Sequence, residues 1–97
     1  MSKKLNQKEL IIEFIKKNAT DGYAGEAKIV GNQLIHFETP IIERYKDGFI
    51  LNTSNYSDIT RFLQRKIREV LQDKKVIEVN KVLMGYEGSL VDYINKK

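Results

Sequence analysis

Arg61, Arg65 and Arg68 recur at intervals of four and three, so on a helix they stand one above another as a ridge, with Thr60, Gln64 and Gln72 beside it. A guanidinium group presents several donors in one plane, a shape that fits phosphate oxygens, and threonine and glutamine side chains can reach phosphates or base edges. That chemistry is nucleic-acid binding. Ser57 stands where a helix N-cap should, with Asp58 after it, and an uncovered helix start can itself hold an anion. The plain alternative is a solvated helix face, with Arg65 and Glu69 forming an ordinary pair at helical spacing.

Other chemistry is thinly provided. His36 is the single histidine, and it lies in an extended run beside Phe37 and Glu38, without a nucleophile motif near it. A metal site would need further ligands from carboxylates of no distinctive spacing. Glu26, Glu38, Glu43, Asp47 and Asp58 suffice in number for a metal-dependent nuclease, but as surface carboxylates on strands and turns they need no such role. Gly22, Gly25 and Gly31 lack the spacing and the lysine of a phosphate-binding loop. Tyr23, Tyr45, Phe49 and Tyr56 suit base stacking if exposed and cross-strand packing if not. No cofactor is implied, and an enzyme is not the expected reading.

Composition sets the outer bounds. With 97 residues, 41% hydrophobic and 31% charged, the chain reads as one soluble globular domain, 1–97. Without cysteine it has neither disulfides nor thiolate metal sites. No apolar run is long enough for a bilayer and the start lacks a signal-peptide core, so no membrane role and a cytoplasmic location are expected. The net charge of +4 is unevenly spread. Residues 1–18 carry five basic and two acidic groups and residues 61–81 carry seven and three, whereas residues 19–60 carry three and six. Predicted helices are therefore basic and predicted strands mildly acidic, a layout that attracts nucleic acid, an acidic protein or anionic lipid.

The elements that must position the ridge follow from period and punctuation. Ser2, Lys3 and Lys4 read as a frayed start. Asn6 and Glu9 can form a capping box for a helix with Leu10, Ile11, Phe14 and Ile15 on its apolar face, ending near Asn18. Ala27 to Val30 and Gln33 to Phe37 form a hairpin about Gly31-Asn32, and Ile41 to Tyr45 with Phe49 to Asn52 form a second about Lys46-Asp47-Gly48. Pro40 fits a strand's first residue or an edge. The central helix starts at Ser57 and lays Ile59, Phe62, Leu63, Ile67, Val70 and Leu71 on the core. Val76 to Val82 reads as a fifth strand, with helix continuation as the alternative, and Ser89 caps a last short helix through Ile94 towards Asn95-Lys96-Lys97. The expected fold is α+β: an N-terminal helix, an antiparallel sheet of four to five strands in two hairpins, and one amphipathic helix packed on it.

Across residues 31–64 the chain resembles a small uncharacterised family of phages, archaeal viruses and their hosts. The resemblance is carried by Phe37, Thr39, Pro40, Ile41, Arg44, Asp47, Gly48, Leu51, Asn52, Tyr56, Ser57, Thr60 and Gln64, with Ile59-Thr60 standing where that family has two adjacent threonines. It implies a viral or mobile-element origin, hence a host-cell cytoplasm, and no established activity. Most of these are turn, cap and packing types. Arg44, Thr60 and Gln64 are not, and they join Arg61, Arg65, Arg68 and Ser57 as candidate nucleic-acid contacts. The alternatives are a protein-interaction module, such as an inhibitor of a host factor, and thirdly the metal-dependent nuclease. Whether the fifth strand pairs within the chain or with a second copy, making a homodimer, is open at this level.

Overall fold

The computed structural model describes residues 4–94. Ser2 and Lys3, expected to fray, and residues 95–97, expected to end the last helix, lie outside the described residues. Lys4 is not frayed: it bridges to Tyr23, and the Leu5 N–H donates to the Tyr23 carbonyl at 2.8 Å.

Helix α1 (Gln7–Lys16) begins at the expected capping box, in which the Glu9 N–H donates to Asn6 Oδ1 and the Asn6 N–H to Glu9 Oε1. Leu10, Ile11, Phe14 and Ile15 recur at helical spacing and all four are buried. Each such side chain contributes about 2 kcal/mol through the surface it removes from water.

Among the described residues one sheet of six strands follows, each lying beside its neighbours in chain order. The short β1 (Tyr23–Ala24) was not expected, because two residues cannot display a period. β2 (Ala27–Val30) and β3 (Gln33–His36) form the first expected hairpin, with Gly31 at φ 62° in its turn. Phe37 does not extend β3. It and Glu38 form a two-residue turn at φ 49° and 62°, a left-handed pair that a glycine-containing turn would adopt without strain.

β4 (Thr39–Tyr45) and β5 (Gly48–Asn52) form the second expected hairpin. Gly48 belongs to the strand, and a Cβ there would collide with the Lys75 backbone carbonyl. Pro40 lies neither at an edge nor at a strand's first residue. β4 is interior, and the register slips between Leu34–Ile42 and Ile35–Pro40, leaving Ile41 as the extra residue of a bulge. Bulges are where an interior strand tolerates a residue with no N–H.

β6 (Val76–Val79) pairs with β5 in parallel, from Phe49–Val76 to Asn52–Val79. The expected α+β fold is present, with six strands rather than four to five and the last one parallel. The reason is connectivity: α2 (Asp58–Val70) links β5 to β6, and a strand reached through a helical crossover returns in the same direction. Residues 80–82, expected to continue the strand, leave the sheet.

Alternation along β5 separates two cores. Phe49 and Leu51 join the residues of α1 and α2 in the main core, while Ile50 faces Val79, Val82 and Leu90 beneath α3 (Val91–Ile94) on the other side. The buried Glu43 fastens that second layer. Its Oε1 accepts from Gln33 Nε2 and the Leu90 N–H, both at 2.8 Å, and its Oε2 from the Ser89 hydroxyl.

Candidate nucleic-acid interface

The ridge depends on how α2 is rotated about its axis. Sequence periodicity points Ile59 and Phe62 inward, but they are 59% and 58% exposed, while Thr60, Leu63, Gln64, Ile67 and Leu71 are buried. Two polar residues displace two apolar ones because both find partners inside. Thr60 Oγ1 lies 3.0 Å from His36 Nδ1 on β3. Gln64 Nε2 donates to the carbonyls of Asn52 and Ser54 at 2.8 and 3.1 Å. A buried carbonyl left unpaired costs about 1–3 kcal/mol, enough to set the helix phase.

Four of the expected nucleic-acid contacts also make hydrogen bonds within the chain. Thr60 and Gln64 are committed to the sheet. Ser57 is the N-cap of α2, its Oγ accepting from the Thr60 N–H at 3.4 Å, and it is itself exposed. Arg44 lies on the sheet, where its guanidinium donates to the carbonyls of Phe14 (2.8 Å), Ala19 and Gly31 (3.1 Å) and sits 4.2 Å over the Phe14 ring. Burial pulls the Arg44 pKa below its ordinary range, and its Nε–H meets no acceptor among the described residues. It ties the end of α1 to the first hairpin.

Arg61, Arg65 and Arg68 do come together. All three line one cleft of about 300 Å³, opposite Thr53, Ser54 and Asn55 of the β5–α2 loop, with Gln64 at its base. This loop is held from behind. Asn52, fully buried, accepts from the Ser54 N–H and donates to the Pro40 carbonyl and the Tyr56 hydroxyl. Thr53 Oγ1 donates to the Val79 carbonyl, Ser54 Oγ accepts from the Val82 N–H, and the Tyr56 hydroxyl donates to the Val82 carbonyl. One wall of the cleft is thus a pinned loop and the other a regular helix.

No family model, no curated protein and no solved structure matches the chain.

The three guanidiniums differ in their surroundings. Arg68 pairs with Glu78 at 2.9 Å, both half exposed, and Arg61 lies 3.9 Å from Asp58, which is itself 84% exposed. Such exposed pairs contribute about 0–1 kcal/mol and exchange readily for another anion. Arg65 stacks 5.9 Å from the exposed Phe62 ring and has no acidic partner among the described residues. Phe62 is a surface aromatic that sequence reading assigned to the core. Its signal was the arginine three residues on, which fits a stacked pair on an outer face as well as a ridge.

The acidic residues do not gather. Glu43 is consumed by the C-terminal segment, and Asp47 pairs with Lys75 across 2.9 Å. Among the described residues no three histidine or acidic side chains could hold one metal ion, and no helix is long and apolar enough to cross a membrane. Of the aromatics considered for stacking, Phe49 is buried and packs on Phe14 at 6.1 Å, and Tyr56 is spent on Val82. Phe37, at the left-handed turn, is 44% exposed with its ring edge-on to His36 at 4.5 Å.

Proposed function

We propose that this chain is a small nucleic-acid-binding protein of a virus or mobile element, holding backbone phosphates in the cleft beside α2. Arg61, Arg65 and Arg68 are the phosphate ligands, and Phe62 offers a face for a base. The observation that carries the reading is that three arginines line a single cleft against a pinned loop. Arg61 and Arg68 are about 10 Å apart along the helix axis, taking 1.5 Å per residue, a span that a strand of phosphates can follow. The resemblance of residues 31–64 to a phage and archaeal-virus family supports the origin.

The test is fluorescence anisotropy of labelled single-stranded DNA, duplex DNA and RNA over a range of salt. Three phosphate contacts predict a slope of log affinity against log salt of about −2 on a single strand and about −3 on duplex DNA. The triple variant Arg61→Ala, Arg65→Ala, Arg68→Ala removes that slope while its circular dichroism is unchanged. Absence of binding at low salt, or an unchanged slope in the variant, refutes the proposal. A second reading, a protein-interaction module such as an inhibitor of a host factor, draws support from the outer side of β6, which no described strand pairs, and the exposed Ile77 beside it.

A further inference from the structure

The two edges of the sheet are treated differently. At β1 the Lys4–Leu5 segment covers the outer side, bridging to Tyr23. At β6 no described strand covers it. Natural sheets protect an open edge with lysine, proline, a bulge or a covering segment. Val76–Val79 contains no lysine or proline, and its one charge, Glu78, is engaged by Arg68.

Which backbone groups the edge offers follows from the parallel register. Phe49 N–H donates to the Lys75 carbonyl and Thr53 N–H to the Val79 carbonyl, so Lys75, Ile77 and Val79 turn their polar groups towards β5. The N–H and carbonyl groups of Val76 and Glu78 therefore point away from the sheet. Beside them runs a groove of about 670 Å³ walled by Ile77, Leu83, Tyr93 and Ile94. Ile77 is 40% and Leu83 73% exposed.

We propose that this edge pairs with the same edge of a second copy of the chain, β6 against β6, antiparallel about a two-fold axis at Ile77. In that register Ile77 faces Ile77 of the second copy as a non-hydrogen-bonded pair, the arrangement that brings side chains closest. Val76 then stands opposite Glu78 of the second copy on either side, and these two pairs supply four inter-chain hydrogen bonds from the outward-pointing groups. Charge selects this register. Centring on Glu78 instead would set like charges face to face, whereas centring on Ile77 sets each Glu78 opposite the uncharged Val76 of the second copy. The apolar groove receives the Ile77 side chain of the second copy. Because the axis is perpendicular to the sheet, both α2 helices lie on one side of a twelve-stranded sheet. If the nucleic-acid reading holds, the two arginine clefts then face the same way.

The experiment is sedimentation equilibrium of the whole chain, free of nucleic acid, so that its failure is separate from failure of the anisotropy test. Wild type is expected at twice the 11.3 kDa chain mass. Glu78→Pro removes an outward N–H that β5 does not use, and is expected to sediment as a monomer with unchanged circular dichroism. Ile77→Cys, in a chain with no other cysteine, is expected to form an inter-chain disulfide on mild oxidation, since directly opposed residues of such a pair stand within disulfide reach. A wild-type monomer up to its solubility limit overturns the proposal. So does a dimer that survives Glu78→Pro and gives no Ile77→Cys cross-link.

Discussion

Replacing Arg44 by methionine keeps an aliphatic stem over the Phe14 ring but removes the guanidinium that joins α1 to the sheet. Three carbonyl acceptors lose their donor: Phe14 and Ala19 at part-buried bonds, and Gly31 at an exposed one. A charged donor to a buried acceptor is worth about 1.5–3 kcal/mol, so the first two account for about 3 kcal/mol at the lower value. The exposed bond adds little because water replaces it. Loss of the cation over Phe14 adds about 0.5–1 kcal/mol. At about 4–8 °C per kcal/mol for a domain of this size, the melting temperature should fall by at least about 14 °C. Urea unfolding followed by far-ultraviolet circular dichroism measures the free energy directly. Arg44→Lys should fall between wild type and Arg44→Met, since an ammonium keeps the charge but not the fork. Anisotropy on nucleic acid, at a temperature where both proteins are folded, should show equal affinity. A stability loss under about 1 kcal/mol together with weakened binding would refute the assignment of Arg44 as a structural tie and return it to the binding surface.

Two further outcomes follow from the same packing. Burial lowers the His36 pKa, with Glu26 opposing, so the unfolded chain binds the extra proton first as pH falls. Stability is therefore full above the unfolded value near 6.5 and declines as pH drops through it towards the lower folded value, and melting curves from pH 8 to 5 should show a slope that His36→Gln lacks. Gly48→Ala drives a methyl group into the Lys75 backbone and should cost about 1–3 kcal/mol, detected by urea unfolding; a neutral result would mean that β6 can shift away from β5 without loss.

Turn chemistry made the hairpins legible, because Gly31-Asn32 and the Asp47-Gly48 pair punctuate runs of alternating residues. The turn at Phe37-Glu38 was hidden for the converse reason: neither residue advertises a left-handed backbone. β1 was too short to show any pattern, and the direction of β6 depends on which strand α2 departs from, a property of connectivity rather than of composition. At the site, the arginine spacing was read directly and the cleft contains all three. The neighbours of that ridge were misread because helical periodicity counts apolar residues and cannot see that Gln64 has two carbonyls waiting for it, or that Thr60 meets His36. Arg44 looked like a phosphate ligand since an arginine in a strand looks the same whether its acceptors are phosphates or the end of a helix.

The parallel pairing of β6 also sets it apart from the other strands in sequence separation. Strands β1 to β5 pair with sequence neighbours across short turns, so their loops close at small entropic cost. β6 reaches β5 only across the intervening loop and the whole of α2, the longest connection between paired strands of the sheet. Without β6 beside it, β5, Gly-Phe-Ile-Leu-Asn, would be the edge of the sheet, buried on both faces and with neither a charge nor a proline. A strand of that kind is a template for pairing with other chains. Helix α2 therefore carries in the strand that closes this edge, and changes that loosen its docking are expected to show as aggregation during refolding.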